Sequence, residues 1–166
     1  DNMRIFRQRL KDAGMISQAK DFHEASGKWP VELYKADIEM DLRTRNMAGF
    51  QLLDIQDYPG QGSAYVGILD AFMDSKEIVD AKRWRQWCDK VVPMAELPRL
   101  TYSEGDTIIW KTIIANYAND DAILEGKTMK WVFLSDKNIV LAQDSTKLSN
   151  VKAGVIDVSC DSVVAR

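Results

Sequence analysis

The apolar run from Gly49 to Ile55, "GFQLLDI", constrains this chain more than any other feature. It gives way after Asp54 to the polar, glycine-punctuated stretch Gln56, Asp57, Tyr58, Pro59, Gly60, Gln61 and Gly62. A run so nearly continuous in apolar residues suits a parallel strand buried on both faces. Helical signals come before it and a loop follows, and helix, buried strand, loop is the order of an α/β fold.

Three helical segments are expected upstream. Asn2 can cap the first, whose apolar side includes Ile5, Phe6 and Leu10 and which Gly14 is placed to end. The second starts at Met15, sets Ile16, Ala19 and Phe22 on one side at spacings of three, and stops at Gly27. Pro30 suits the first turn of the third, where Val31, Tyr34, Ile38 and Leu42 recur at three and four residues. Lys35/Glu39, Glu39/Arg43 and Asp41/Arg45 support its outer face at i,i+4. A short amphipathic helix from about Asp80 to Asp89 carries Trp84, Trp87 and Cys88.

From Val91 the pattern changes. Pro93 and Pro98 mark a linker, and β-rich runs follow: "RLTY", "DTIIWKTIIANY", "KTMKWVFLSD", "NIVLAQDS" and "AGVIDVSCDSVV". Turn formers separate them at Glu104-Gly105-Asp106, Asn119-Asp120-Asp121, Asp136-Lys137-Asn138 and Ser149-Asn150. In the second run Ile109, Lys111, Ile113, Ala115 and Tyr117 alternate with Trp110, Thr112, Ile114 and Asn116, as in an antiparallel sandwich strand. Neither half closes a complete fold, so both ends suggest a piece of a longer chain.

Composition excludes several partners. A net charge of −3 without any Lys/Arg cluster interleaved with aromatics argues against nucleic acid. No apolar run is long enough to cross a membrane as a helix. Cys88 and Cys160 match neither a redox nor a zinc spacing and read as unpaired thiols.

"GFQLLDIQDYPGQGSAYVGILDAFMDSK", followed by "RWRQWC" and "VVPMAELPRLTYSEGDTI", resembles β-galactosidase-like members of glycoside hydrolase family two. The segment resembles the end of their catalytic barrel and the start of the next sandwich domain. "DYPGQGSA" with "GILDAF" is its most specific part. The resemblance implies the C-terminal part of a TIM-type (β/α)8 barrel over residues 1–92. A partial immunoglobulin-like β-sandwich would then occupy residues 93–166.

It also implies a retaining mechanism with two glutamates about 5 Å apart. Neither has a matching position here, so both are expected upstream of Asp1. The expected partners are a carbohydrate substrate and the remainder of the parent polypeptide, with no cofactor, no metal, no nucleic acid and no membrane. By resemblance, a periplasmic or secreted location is favoured over a cytoplasmic one.

Barrel active sites are built from the loops that follow the strands, so Gln56, Asp57, Tyr58 and Gln61 are the candidates for substrate binding. Carboxamides and a carboxylate suit sugar hydroxyls, and a tyrosine ring suits the apolar side of a pyranose. Gly60 and Gly62 would free the backbone for turns. Asp57-Tyr58-Pro59-Gly60 is equally a plain turn sequence. Asp54 would hydrogen-bond within the barrel rim.

His23 reads as solvated rather than catalytic, and Glu24, Glu32 and Glu39 as charged helix surface. Trp84, Trp87, Trp110 and Trp131 read as packing residues. The alternative to an enzyme fragment is a non-catalytic carbohydrate-binding or scaffolding module. It predicts a row of exposed aromatics on the sandwich that includes Trp110 or Trp131.

Overall fold

The computed structural model describes residues 2–61, 64–118, 124–149 and 152–165. The expected turns at Asn119-Asp120-Asp121 and Asn150, and the expected role of Gly62, lie outside the described residues. In chain order the elements are α1 (Asn2–Asp12), a 3-10 turn (Ile16–Gln18), α2 (Ala19–Arg43), α3 (Ala81–Trp84), β1 (Val91–Glu96), β2 (Thr107–Asn116), β3 (Thr128–Leu134), β4 (Val140–Lys147) and β5 (Gly154–Val164). The chain divides into two compact units, one of Asp1–Ile38 with Gly49–Gln86 and the other of Glu39–Ala48 with Trp87–Arg166.

In the first unit α1 ends where Gly14 takes a left-handed backbone conformation. α2, in contrast, runs for 25 residues straight through Gly27 and Pro30, where a stop and a restart were expected. Proline in a helix interior removes a backbone donor and costs about 3 kcal/mol. The helix tolerates it while Val31 and Ile38, two turns apart on one side, are buried.

Gly27 is not a terminator but a contact surface. A Cβ there would stand 2.9 Å from Ile78 Cδ1, so the bare backbone makes room for the isoleucine. α2 is tied to the end of the unit by the ion pair between Glu32 and Arg83 and by the edge-to-face packing of Tyr34 on Trp84, with ring centroids 5.9 Å apart. α3 starts at Asp80, whose carboxylate accepts from the Arg83 N–H at 2.7 Å, an ordinary N-cap.

The barrel expectation fails in this unit. Gly49–Ile55 forms no strand, and its Leu53 is 80% exposed. A parallel strand is stable only between neighbours that take up its backbone groups. Among the described residues Gly49–Ile55 takes part in no ladder: Ile55 O accepts from Leu69 N–H at 3.1 Å, and an isolated bridge, Gln56 with Leu69, lies just past its end. Asp54 also adopts a positive φ of 61°, which turns the chain out of an extended path. The named strands all pair antiparallel, and no repeating βα pattern is present among the described residues.

In the second unit four of the five expected β runs are strands, but they do not form the partial immunoglobulin-like sandwich. They join β1 in a three-stranded sheet of order β1-β2-β5 and a separate two-stranded β3-β4 sheet. β1 occupies the stretch read as a linker. Pro93 is tolerated because β1 is an edge strand, where the missing donor costs no ladder bond.

"RLTY" is not a strand. Arg99 instead lies over the Tyr102 ring at 4.5 Å and pairs with Asp106 at 2.8 Å, bracing the turn before β2. The Ser103 N–H donates to the same carboxylate, and together with Arg99 this holds the Asp106 carboxyl below the usual carboxylate range.

Asp41 does not hold Arg45. The helix has ended by then, and Arg45 reaches β5, pairing with Asp157 at 2.8 Å and donating to the Val155 carbonyl. Trp110 of β2 meets Trp131 of β3 edge to face at 4.9 Å, and Ile114 and Leu148 pack with Val91, Met129, Ile156 and Val158. These side chains join the two sheets.

Replacing a buried aromatic by alanine typically costs about 3–5 kcal/mol, and Trp110→Ala is expected in that range by denaturant unfolding. A double-mutant cycle with Trp131→Ala should show a coupling of about 0.5–1.5 kcal/mol. A coupling indistinguishable from zero would show that the two rings do not hold the sheets together.

Candidate functional site

The polar stretch after Ile55 folds back on the segment that follows it, closed by backbone hydrogen bonds. Leu69 N donates to Ile55 O at 3.1 Å, Asp57 N to Leu69 O at 3.1 Å and Tyr58 N to Ala64 O at 2.9 Å. Successive side chains of an extended segment face opposite ways. Accordingly Gln56 and Tyr58 are exposed while Asp57, between them, is buried.

The Asp57 carboxylate has well-defined partners. Its Oδ1 accepts from Lys76 Nζ at 2.6 Å and from the Gly67 N–H at 3.0 Å, and Lys76 also donates to the Gly67 carbonyl at 2.8 Å. The Asp57 and Lys76 side chains are 8% and 16% exposed. At that depth an ion pair avoids a large desolvation penalty only when further hydrogen bonds complete it, and the Gly67 peptide supplies both kinds.

Gly67 must be glycine for a steric reason, since a Cβ would collide with the backbone of Gln56 and Asp57. A second support lies one turn further out. Asp70 Oδ1 accepts from the N–H groups of Phe72 and Asp74, which returns the chain toward Lys76.

The outward side carries the other candidates. Tyr58 is 54% exposed, and its ring lies against Gly60 so closely that a Cβ there would run into the ring edge. One part of the phenol is thus propped on bare backbone while the rest remains open. Gln61 is exposed in the same turn, its N–H reaching Tyr58 O at 3.5 Å. The structure therefore brings Gln56, Tyr58 and Gln61 to the exposed side of one loop and turns Asp57 inward.

An open apolar hollow of about 480 Å³ in the same unit is lined by Ile55, Ile68, Leu69, Met73, Val79 and Trp84, among others, but not by the sugar-site candidates. Its lining suits packing rather than hydroxyl recognition.

Lys76 and Gly67 were not singled out from the sequence. A signal was present for the lysine: no Lys, Arg or His lies between Arg45 and Lys76. A carboxylate flanked by two apolar stretches needs a cation if it is buried, and Lys76 is the nearest one downstream.

Asp54 is exposed, and its carboxylate acts on Tyr34. Burial first, and the Asp54 charge second, push the Tyr34 phenol above its ordinary value. His23 is exposed on α2 beside Lys20, Glu24 and Lys28.

Trp110 is buried and packed edge to face on Trp131, which is half-buried. Among the described residues no group of three or more His, Cys, Asp or Glu side chains is placed to hold a metal ion, and no helix is long and apolar enough to cross a membrane. No protein-family model matches the chain, and no curated protein matches it.

Two measurements check this geometry. Removing one partner of a buried pair leaves an uncompensated charge and costs about 3–5 kcal/mol, the loss expected for Asp57→Ala in urea unfolding. Forcing a methyl group against backbone costs about 1–3 kcal/mol or more, so Gly67→Ala should also destabilise the unit.

Because the raised Tyr34 pKa favours the neutral phenol in the folded state, its contribution to stability is complete below the ordinary tyrosine value. It is lost as pH rises through the folded value. Ultraviolet titration, with Tyr34→Phe as the subtraction standard, should show this tyrosine ionising late. Asp54→Asn should bring its midpoint part of the way down.

Proposed function

We propose that this chain is part of a retaining, β-galactosidase-like glycoside hydrolase that cleaves terminal β-glycosidic bonds, and that its contribution is a sugar-contacting loop. The observation that carries the reading is the exposed side of the Gln56–Gln61 turn. There a tyrosine ring propped on Gly60 stands with two exposed carboxamides beside a buried, ion-paired brace.

Carboxamides donate to and accept from sugar hydroxyls, and an aromatic face covers the C–H side of a pyranose. The resemblance of "DYPGQGSA" and "GILDAF" to family-two enzymes points to the same loop. The reading rests on that motif and on the geometry of the turn, not on a barrel architecture.

In this reading the chain's own residues bind and orient the sugar. Tyr58 lies against the ring, Gln56 and Gln61 hold hydroxyls, and Asp57 faces inward to keep the turn in place. The bond-breaking pair of carboxyl groups, about 5 Å apart in a retaining enzyme, belongs to the remainder of the polypeptide. One protonates the leaving oxygen while the other forms the glycosyl intermediate, which water then releases.

The test is hydrolysis of aryl β-glycosides by the full-length protein, with the anomeric form of the first product followed by NMR. Retention of configuration is expected, with the isolated 166 residues inactive. An aromatic contact contributes on the scale of about 0.5–1.5 kcal/mol, so Tyr58→Ala should raise KM several-fold. Turnover by the isolated chain that is lost on Asp57→Ala would contradict the proposal, as would a full-length protein inert toward every aryl β-glycoside.

A further inference from the structure

Resting on that reading, we propose that Lys76 is the positioning residue of the sugar-contacting loop. Its ammonium group spans the two arms of the fold-back. It touches Asp57 Oδ1 on one arm at 2.6 Å and the Gly67 carbonyl on the other at 2.8 Å, while the Gly67 N–H closes the triangle onto the same carboxylate oxygen at 3.0 Å.

Asp57 is the residue between Gln56 and Tyr58, so its anchoring determines which way both neighbours point. A rotation that released Asp57 to water would turn Tyr58 toward the interior. Lys76 makes no direct claim on the substrate, because its side chain is largely buried and directed inward. It acts through Asp57.

Two features separate positioning from general support. Both hydrogen bonds of Lys76 go to the fold-back, one ionic and one to a peptide carbonyl. The arm it grips is also held at a sterically obligatory glycine, so the distance between the arms is set by backbone contact rather than by side-chain size. A cation of the right reach completes such a site, whereas a longer planar guanidinium would have to displace one arm.

The experiment compares the full-length protein with Lys76→Met, Lys76→Arg and the double variant Asp57→Asn/Lys76→Met. It uses steady-state hydrolysis of an aryl β-galactoside, thermal unfolding and amide hydrogen exchange. Misplacing a positioning group costs about tenfold to a hundredfold, so Lys76→Met should raise KM on that scale with a smaller change in kcat. Exchange should quicken at the Asp57, Tyr58 and Gly67 amides before it does elsewhere.

The double variant removes the uncompensated buried charge, so it should recover much of the thermal stability without recovering KM. That split is the result a merely structural lysine cannot produce. If Lys76→Met turns over with wild-type KM, or if the double variant restores KM together with stability, the inference is overturned while the glycosidase reading stands. A wild-type protein without turnover on any aryl β-glycoside overturns both.

Discussion

The ion pair between Asp57 and Lys76 is the constraint on which the candidate site depends. Two charges at that depth do not by themselves stabilise a fold, since the cost of desolvation can match the attraction they recover. Their value lies in direction. The main chain of Gly67 offers an N–H to the carboxylate and a carbonyl to the ammonium, so the observed arrangement of the two arms satisfies both ends of the pair. With Asp57 committed inward, the alternation of an extended backbone sends Gln56 and Tyr58 outward. Gly60 then props the Tyr58 ring from beneath.

The helical first part and the β-rich second part were legible because their signals are local. Gly14 ends α1 as expected, and four of the five β runs became strands with turn formers between them. The errors share a cause. Gly27 and Pro30 are helix breakers by intrinsic preference, yet a side chain distant in sequence, Ile78, packs into the gap left by Gly27. Pro93 disfavours a strand until one knows that β1 lies at a sheet edge. Gly49–Ile55 reads as a buried strand by composition alone, but burial requires partners, and the left-handed Asp54 redirects the chain before any ladder can form. For Gly27 and Pro93 the deciding contact lies outside the window in which propensity operates.

The residue types of the site were readable, but their orientation was not. Gln56, Asp57, Tyr58 and Gln61 stood out together because amides, a carboxylate and an aromatic ring follow an apolar run. Nothing in their order distinguished the inward carboxylate from the outward amides, because that depends on the register of the fold-back. The lysine that sets the register was the one signal left unused. Thirty residues separate Arg45 from the next positive charge on the chain, on the order of half a small domain's length without a cation. Any carboxylate buried within that interval had few possible partners.

The loss of the barrel expectation bears less on the loop than it first suggests, because function belongs to sites rather than to architectures. Among the described residues, the hydrogen bonds and the ion pair that shape the turn close within Ile55 to Lys76: Leu69 to Ile55, Asp57 to Leu69, Tyr58 to Ala64, Gly67 to Asp57 and Lys76 to both arms. None of them calls on a neighbouring strand of a parallel sheet. A loop whose described polar contacts close on itself can keep its outward groups in the same relation on different surfaces. The sugar-contacting proposal therefore stands or falls with Gln56, Tyr58, Gln61 and their brace, and not with the closure of a larger sheet.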